Sequence, residues 1–142
     1  MAVDPNTLHA LLMGKLRTLP DIGARIYDGY VPDSVPTAGG YIRPYAVVWS
    51  GLGSDLPEER DLSRLTDTTV LDWAPQINAV GPDPTTCRQA AQQIRQALTN
   101  LHMGGGWLGP DPDGFRVNAP LIDDQVTPAR FFLPLPWRLI TN

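Results

Sequence analysis

The length, composition and charge of the chain exclude several classes of protein. Its 142 residues, of which 42% are hydrophobic, suffice for one domain over 1–142 with its own core, and no apolar run approaches the roughly 18 residues of a membrane span. The net charge of −4 argues against the nucleic-acid phosphate backbone as the main ligand, since that ligand needs a clustered basic surface. Cys87 is the only cysteine and no signal peptide is evident, which predicts a soluble protein made in the cytoplasm without an intramolecular disulfide.

The first fifty residues predict one helix and two strands. The helix covers 5–19, where Asp4 can cap the start and Pro20 ends it. Its apolar side consists of leucines at helical spacing: Leu8, Leu11, Leu12, Leu16 and Leu19. Strands are predicted over 25–31 and 45–50. The segment 32–44 between them holds three prolines and a Gly-Gly pair, which predicts a turn or loop.

A long connection over 51–66 is the most unusual piece of the sequence. It contains the only two glutamates of the chain together with four further charged residues. These six residues are Asp55, Glu58, Glu59, Arg60, Asp61 and Arg64. Connections of this length are either functional or disordered. Two interpretations therefore stay open: a solvated loop, or a contact loop that becomes ordered on a partner.

The clearest strand pattern lies over 70–80. Apolar residues alternate with polar ones, so that one face of this strand is predicted to be buried. The apolar face consists of Leu71, Trp73, Ile77 and Ala79, and the polar face of Asp72, Gln76 and Asn78. Pro75 interrupts the pattern, which indicates a bulge or a position near a sheet edge.

Residues 83–101 predict the second helix. Asp83 suits the N-cap and Pro84 the first helical position, and the glycines of 104–106 are expected to end the helix. Its apolar stripe consists of Cys87, Ala90, Ala91, Ile94, Ala97, Leu98 and Leu101. The stripe predicts a face packed on the sheet, with Cys87 as an inert buried thiol.

Two further strands are predicted near the C-terminal end of the sequence. Alternation predicts the first over 115–121 and the second over 130–141. In the second, one face consists of Phe131, Leu133, Leu135, Trp137 and Leu139. Pro134 and Pro136 lie on its opposite face and each lacks a backbone donor. This strand is therefore predicted at an edge of the sheet, or bulged.

The predicted order of elements is α-β-β-β-α-β-β. Strands with one apolar and one polar face suit an antiparallel sheet that is covered on one side. The sequence thus predicts an α+β fold with a mainly antiparallel sheet and two helices packed on one face. The polar face of the sheet is left for solvent or for a partner.

No motif in the sequence indicates a cofactor or a metal. Residues 104–109 match the pattern GxGxxG, but a helix precedes them and a strand follows, the reverse of a dinucleotide site, which favours a flexible connecting loop. Residues 111–114 resemble the start of a calcium loop but lack the further oxygen ligands, which favours a turn. His9 and His102 have no metal-ligating residue four positions on. No cofactor and no metal site are therefore expected.

Catalysis is also not expected from the motifs. A Ser-His-Asp triad could be assembled in space from Ser50 or Ser54 with His9 or His102, but no nucleophile-elbow sequence supports it. The pair Asp123 and Asp124 is predicted as a solvated turn. A small hydrolase remains an alternative, and it requires a serine and a histidine within hydrogen-bond reach. A ligand-binding adaptor is another alternative, and it requires an apolar pocket.

The succession of elements resembles the tail terminator (tail completion) proteins of long-tailed bacteriophages. The likeness begins with the leucine-rich first helix and the segment 26–32. It continues through the strand 45–49, the long connection, the strand 70–80 and the helix 83–101, and it closes with the segment 132–137. The likeness lies in the order and texture of the elements and spans nearly the whole chain.

The resemblance implies a structural virion protein and not an enzyme. Members of this family form a ring, usually of six subunits, that caps the tail tube, ends its elongation and offers a surface to the head–tail connector protein. The partners would be further copies of the chain, the tail tube protein and the connector, while DNA passes through an acidic ring without specific binding. Subunit contacts would use sheet edges and the long connection, with Asp55, Glu58, Glu59, Arg60, Asp61 and Arg64 as candidates. A related alternative is another neck or head-completion ring protein.

Overall fold

The helices and strands are those of a computed structural model that describes residues 3–32, 35–55, 70–114 and 117–141. The α-helices of these ranges are α1 (Pro5–Leu16) and α2 (Pro84–Leu98), and a short 3₁₀ helix covers Ile22–Arg25. The strands are β1 (Ile26–Asp28), β2 (Thr37–Ala38), β3 (Tyr41–Ile42), β4 (Tyr45–Trp49), β5 (Ser54–Asp55), β6 (Leu71–Trp73), β7 (Gln76–Gly81), β8 (Leu101–Met103), β9 (Gly106–Pro110), β10 (Leu121–Asp123) and β11 (Arg130–Ile140).

The fold class is α+β, as the sequence predicted. The large sheet is mixed and mostly antiparallel: β1 pairs with β4 in parallel, whereas β4 with β7, β7 with β11 and β10 with β11 pair antiparallel. Buried side chains of α1 and α2 share one core cluster with alternate residues of β4, β7 and β11. Both helices therefore pack on the same face of the sheet.

Both helices begin where the sequence predicts and end earlier. The Asp4 carboxylate accepts a hydrogen bond from the Asn6 N–H at 3.0 Å, and the Asp83 carboxylate accepts one from the Thr86 N–H at 2.8 Å. The first helix ends at Leu16, ahead of a turn in which the Thr18 hydroxyl donates to a backbone carbonyl. The second ends at Leu98 because Asn100 takes a positive φ of 63°, so the glycines at 104–106 do not stop it.

Pro75 separates β6 from β7 but does not shift the register, so of the two predicted alternatives the bulge is wrong. Trp73 faces Leu139, and Gln76 faces Pro136. Both separations are three residues, which leaves no extra residue in either strand. The Trp137 N–H donates to the Pro75 carbonyl at 2.9 Å, so β6 and β7 continue as one line along β11.

β11 lies inside the sheet, so the predicted edge position is also wrong. On one side it pairs with β7 and β6, and on the other with β10 near its start and with β9 near its end. Because the Trp137 N–H points to Pro75, on the side of β6 and β7, the nitrogens of Pro134 and Pro136 point to the opposite side. These nitrogens face the gap between β10 and β9. No strand is described in that gap, so the hydrogen bonds that the two prolines cannot donate are not needed there.

Two hairpins replace predicted loops. β8 and β9 are joined by Gly104 and Gly105, which both take positive φ, and β2 and β3 are joined by Gly39 and Gly40 in the same way. The predicted flexible loop over 104–109 is thus a β-hairpin. The strand predicted over 115–121 is wrong for its described residues, because the ladder starts only at Leu121.

The face of the sheet opposite the helices is not polar at its centre, contrary to expectation. A second, smaller cluster of buried residues lies there, formed by Ile42, Tyr45, Val47 and Val80. Tyr27, Val31, Val35 and Phe132 pack against it while partly exposed. The alternation over 70–80 predicted a polar face formed by Asp72, Gln76 and Asn78. The neighbouring strands β4 and β11 place apolar residues beside them.

Candidate functional site

Most of the candidate contact residues lie outside the described residues. This holds for Glu58, Glu59, Arg60, Asp61 and Arg64. Asp55 belongs to β5, whose backbone pairs antiparallel with β6. The beginning of the predicted loop is therefore a strand added to the large sheet. The assignment of these six residues to a partner contact stays a prediction.

An apolar patch lies on the sheet face opposite the helices. This second-face patch consists of Val31, Tyr45, Val47, Trp49, Val80 and Phe132, which line an open depression of about 280 Å³. Its centre is buried, but the Trp49 side chain is 47% exposed. The patch thus combines a packed centre with an aromatic residue in water.

Three polar residues, Asn78, Asp123 and Arg130, also line this depression. Arg130 has the contact that shapes the patch. Its guanidinium donates to the Tyr45 hydroxyl at 2.9 Å, which fixes the tyrosine ring against the edge of Tyr27 at a centroid distance of 5.6 Å. Asp123 faces Arg130 across the β10–β11 pair. Tyrosine, tryptophan, phenylalanine and arginine are the residues enriched in protein–protein interfaces. All four residue types occur in the patch or at its border.

Ser50, His9 and Asp28 form a hydrogen-bonded chain at the end of β1 and β4. The Ser50 Oγ lies 2.6 Å from His9 Nδ1, and His9 Nε2 lies 3.0 Å from Asp28 Oδ2. The parallel pairing places Asp28 opposite Val48, and Ser50 follows two residues later on the same face. Because α1 packs on that face, His9 reaches both side chains.

The hydrogen bonds join Ser50, the candidate nucleophile, to His9, the candidate base, and join His9 to the carboxylate of Asp28. With its proton on Nε2, the His9 ring accepts from the serine hydroxyl and donates to the aspartate. A shallow cavity of about 290 Å³ borders the three residues, with Pro5, Asn6, Gly51 and Leu52 in its wall. The condition that the sequence set for a hydrolase, a serine and a histidine in contact, is therefore met by Ser50 and His9.

Three features of this cluster differ from working serine triads. The serine contacts Nδ1 and the aspartate Nε2, whereas the established triad uses the nitrogens in the opposite roles. Asp28 is exposed, whereas the triad aspartate is buried. The Asn6 N–H at the nearby helix start already donates to Asp4, so it is not free to stabilise an oxyanion.

The other serine and histidine named from the sequence lie elsewhere. His102 packs against the indole of Trp107 in the β8–β9 hairpin, with ring centroids 4.6 Å apart. Ser54 lies in β5 and borders a cavity of about 450 Å³ together with Asp72 and Arg138. Neither belongs to the Ser50 cluster.

Arg138 and Asp72 form a two-pronged ion pair in that larger cavity. The guanidinium donates from Nε to Asp72 Oδ1 at 3.0 Å and from Nη2 to Oδ2 at 2.8 Å. A third contact joins Nη1 to Asp113 Oδ2 at 3.3 Å. Hydrogen bonds from Arg138 hold the pKa of the Asp72 carboxyl below its usual value, against a smaller opposing effect of burial.

We expect Asp72→Asn to destabilise the protein at pH 7 and to have much less effect in acid. The pKa of Asp72 is lowered by folding, so its ion pair contributes stability above the unfolded pKa of about 3.9 and loses it as the pH falls through the folded value. Urea unfolding at pH 7 and near pH 3 measures the difference, with exposed Asp124→Asn as the control. An equal loss at both pH values would contradict the assignment.

Two sequence predictions about single groups are confirmed. Cys87 is fully buried, its thiol donates to the Ala79 carbonyl, and burial raises its pKa to about 11, so it is an inert core residue. Residues 111–114 form a turn in which the Asp111 side chain accepts from the Asp113 N–H at 2.9 Å.

No group of three or more His, Cys, Asp or Glu within the described ranges is placed to hold a metal ion.

The second-face patch is the feature that sequence reasoning missed. The alternation of 70–80 alone indicated a polar face. Residues 45–48 are all apolar, so β4 presents apolar side chains on both of its faces, and this signal could have revealed the patch.

Across the described part of the chain, no helix is long and apolar enough to cross a membrane. Neither a scan against protein-family models nor a search of curated proteins finds a match for this chain.

Proposed function

We propose that this chain is the ring-forming tail terminator subunit of a long-tailed bacteriophage. It caps the finished tail tube, ends its elongation and presents the head-side surface to the connector. It is located in the virion after synthesis in the host cytoplasm. The α+β fold, with both helices packed on one face of a mostly antiparallel sheet, is compatible with this role.

The observation that carries the proposal is the second-face patch. A monomer leaves the Trp49 side chain 47% exposed and Phe132 partly exposed on one face of its sheet, and aromatic residues are enriched in protein–protein interfaces. A ring subunit needs such a surface, because it must contact both a neighbour and the tube below it. The patch therefore fits an assembly protein better than an isolated monomer.

Charge supports the same role. The net charge of −4 suits a ring around DNA, because an acidic lining repels the duplex and lets it pass without binding. The ring is expected to have six copies, with the tail tube protein and the connector protein as further partners. The charged residues of the long connection, Asp55 to Arg64, remain candidate contacts. Another neck or head-completion ring protein is the related alternative.

The test is assembly of the purified protein. Native mass spectrometry and electron microscopy of the protein alone and with tail tubes should show a ring, most simply a hexamer, at the end of each tube. Trp49→Asp should prevent assembly because it places a charge in the second-face patch. The matched control is Tyr41→Asp, at an exposed aromatic residue of β3 outside the patch.

The outcomes separate the alternatives. A strict monomer that ignores both tubes and connectors would overturn the proposal. A ring that binds the connector but not the tube would move the protein to another position in the neck. Binding of a small apolar ligand without assembly would favour the adaptor, although the open depression of about 280 Å³ is small for such a site.

A second candidate function, hydrolysis at Ser50, is favoured by the Ser50–His9–Asp28 chain. A fluorophosphonate probe reacts with activated serines, and intact-mass analysis detects the adduct. The ring function predicts no labelling, for which Ser50→Ala serves as the blank. Labelling of the natural protein that disappears in both Ser50→Ala and His9→Ala would establish an activated serine and favour the hydrolase.

A further inference from the structure

The large sheet ends laterally in four strands that each pair with a single described strand: β1 and β5 on one side, and β10 and β8 on the other. At one side β1 pairs only with β4, and at the other β10 pairs only with β11, within the ranges that the structure describes. We call Ile26–Asp28 the β1 edge and Leu121–Asp123 the β10 edge. A free edge presents unpaired backbone N–H and C=O groups and is a template for another strand.

The two edges run in opposite directions. β1 is parallel to β4, β4 is antiparallel to β7, β7 to β11, and β11 to β10. β1 and β11 therefore point one way, and β10 points the other. If a second copy is placed beside the first in the same orientation, its β1 edge meets the β10 edge in antiparallel fashion. Antiparallel strands pair directly, with well-aligned hydrogen bonds.

The side chains of the β10 edge are suited to being covered. Leu121 is 45% exposed and Ile122 is 57% exposed, so both faces of this strand present apolar surface to water. Protected sheet edges are usually very short or carry charged residues, proline or a bulge. Each edge here is short and holds one aspartate, Asp28 or Asp123, but neither contains a lysine or proline, and the apolar residues of the β10 edge stay exposed. Tyr30, just after the β1 edge, is likewise a largely exposed aromatic residue.

The faces of the two edges also match. Leu121 faces Phe132 across the β10–β11 pair, which places it on the side of the second-face patch. Tyr27 of the β1 edge packs on the same side. A sheet that continues from copy to copy therefore keeps Leu121 and Tyr27 on one face. The second-face patch would then extend as one apolar band across the joint.

We propose that successive copies of this chain join edge to edge, the β10 edge of one adding antiparallel to the β1 edge of the next. The contact is head-to-tail, so each copy uses two different surfaces, and the rotation between copies closes the series into a ring. Each edge is only three residues long, so the ladder sets the orientation while apolar side chains at the joint add area. The inference rests on the proposed ring function and names its subunit contact.

Paired cysteines test the contact. The chain's own cysteine is buried, so a short bismaleimide reagent should react mainly with introduced thiols. Leu121→Cys combined with Tyr27→Cys should give a ladder of cross-linked dimers, trimers and larger species up to the ring size on denaturing gels. Each single variant should stay at background, because a head-to-tail joint brings together one residue of each kind.

A charge at the edge provides an independent measurement. Ile122→Lys should weaken assembly at least about tenfold, because the lysine opposes burial of the edge. The control is Val126→Lys, which places the same charge in the turn after β10. Circular dichroism checks that every variant folds. If Tyr27→Cys does not fold, the comparison of Ile122→Lys with Val126→Lys still tests the edge contact.

The results distinguish the contact from the function. Intact rings that give no ladder from the double variant and that tolerate Ile122→Lys would overturn the edge contact and leave the ring function standing. Cross-linking of Leu121→Cys alone to a dimer would replace it by a two-fold contact between β10 edges. A protein that stays monomeric with and without tail tubes would overturn both.

Discussion

Trp73→Ala is expected to lower the free energy of unfolding by about 3–5 kcal/mol, the usual cost of removing a large buried aromatic side chain. Trp73 is 0% exposed in the core between the helices and the sheet, and its indole N–H donates to the Gly51 carbonyl at 3.1 Å. The variant loses both the packing and the partner of that carbonyl. For a domain stabilised by about 5–15 kcal/mol, this is a large fraction of the total.

Urea unfolding followed by circular dichroism measures the loss. The matched control is Trp107→Ala, whose side chain is 65% exposed and whose removal should cost less than about 1 kcal/mol. If Trp73→Ala does not fold, Trp73→Phe and Trp137→Phe can be compared. Both tryptophans are buried, but Trp137 Nε1 has no hydrogen-bond partner among the described residues, so Trp73→Phe should be the more costly. Equal costs would refute the role of the Gly51 hydrogen bond.

Gly106→Ala is expected to cost about 3 kcal/mol or more, beyond the common range of overpacking. A methyl group at this position would overlap the carbonyl oxygen of Ile140, which belongs to the backbone of the long central strand. A flexible side chain could move away, but this oxygen can move only if β11 moves. The substitution therefore acts on the joint between the β8–β9 hairpin and the sheet.

Gly109→Ala is the control for this effect. Gly109 lies in the same strand, three residues away, and a methyl group there would meet no atom within 4 Å. Thermal and urea unfolding of the two variants should differ by more than about 2 kcal/mol if the contact with Ile140 is responsible. A loss of similar size in both would point to glycine flexibility in β9 instead.

The sequence predicts well what depends on local pattern. The starts of both helices follow from Asp4 and Asp83, whose carboxylates satisfy free N–H groups at the first turn. The buried faces of the 70–80 and 130–141 segments follow from alternation, because a pleated strand sends every second side chain to the same side. These signals need no knowledge of the neighbouring strands.

The errors concern what depends on neighbours. Pro134 and Pro136 indicated an edge, but a central strand tolerates them where its outer partners leave a gap. The Gly-Gly pairs were predicted to lie in loops. The positive φ that glycine allows also suits a tight hairpin, and only the flanking strands distinguish a hairpin from a loop. The Ser50–His9–Asp28 chain joins three segments that are distant in sequence, so it forms only through the parallel β1–β4 pairing and the packing of α1 on that face.

The position of β11 in the chain has a consequence for synthesis. This strand holds β6, β7, β9 and β10 together, and all four precede it in the sequence. Arg138, the ion-pair partner of Asp72, lies 66 residues later in the chain. At usual translation rates it is therefore synthesised on the order of seconds after Asp72. Until β11 emerges from the ribosome, β10 has no described strand to pair with. On the proposed assembly route, a nascent chain therefore cannot offer its β10 edge to a neighbour before β11 has emerged.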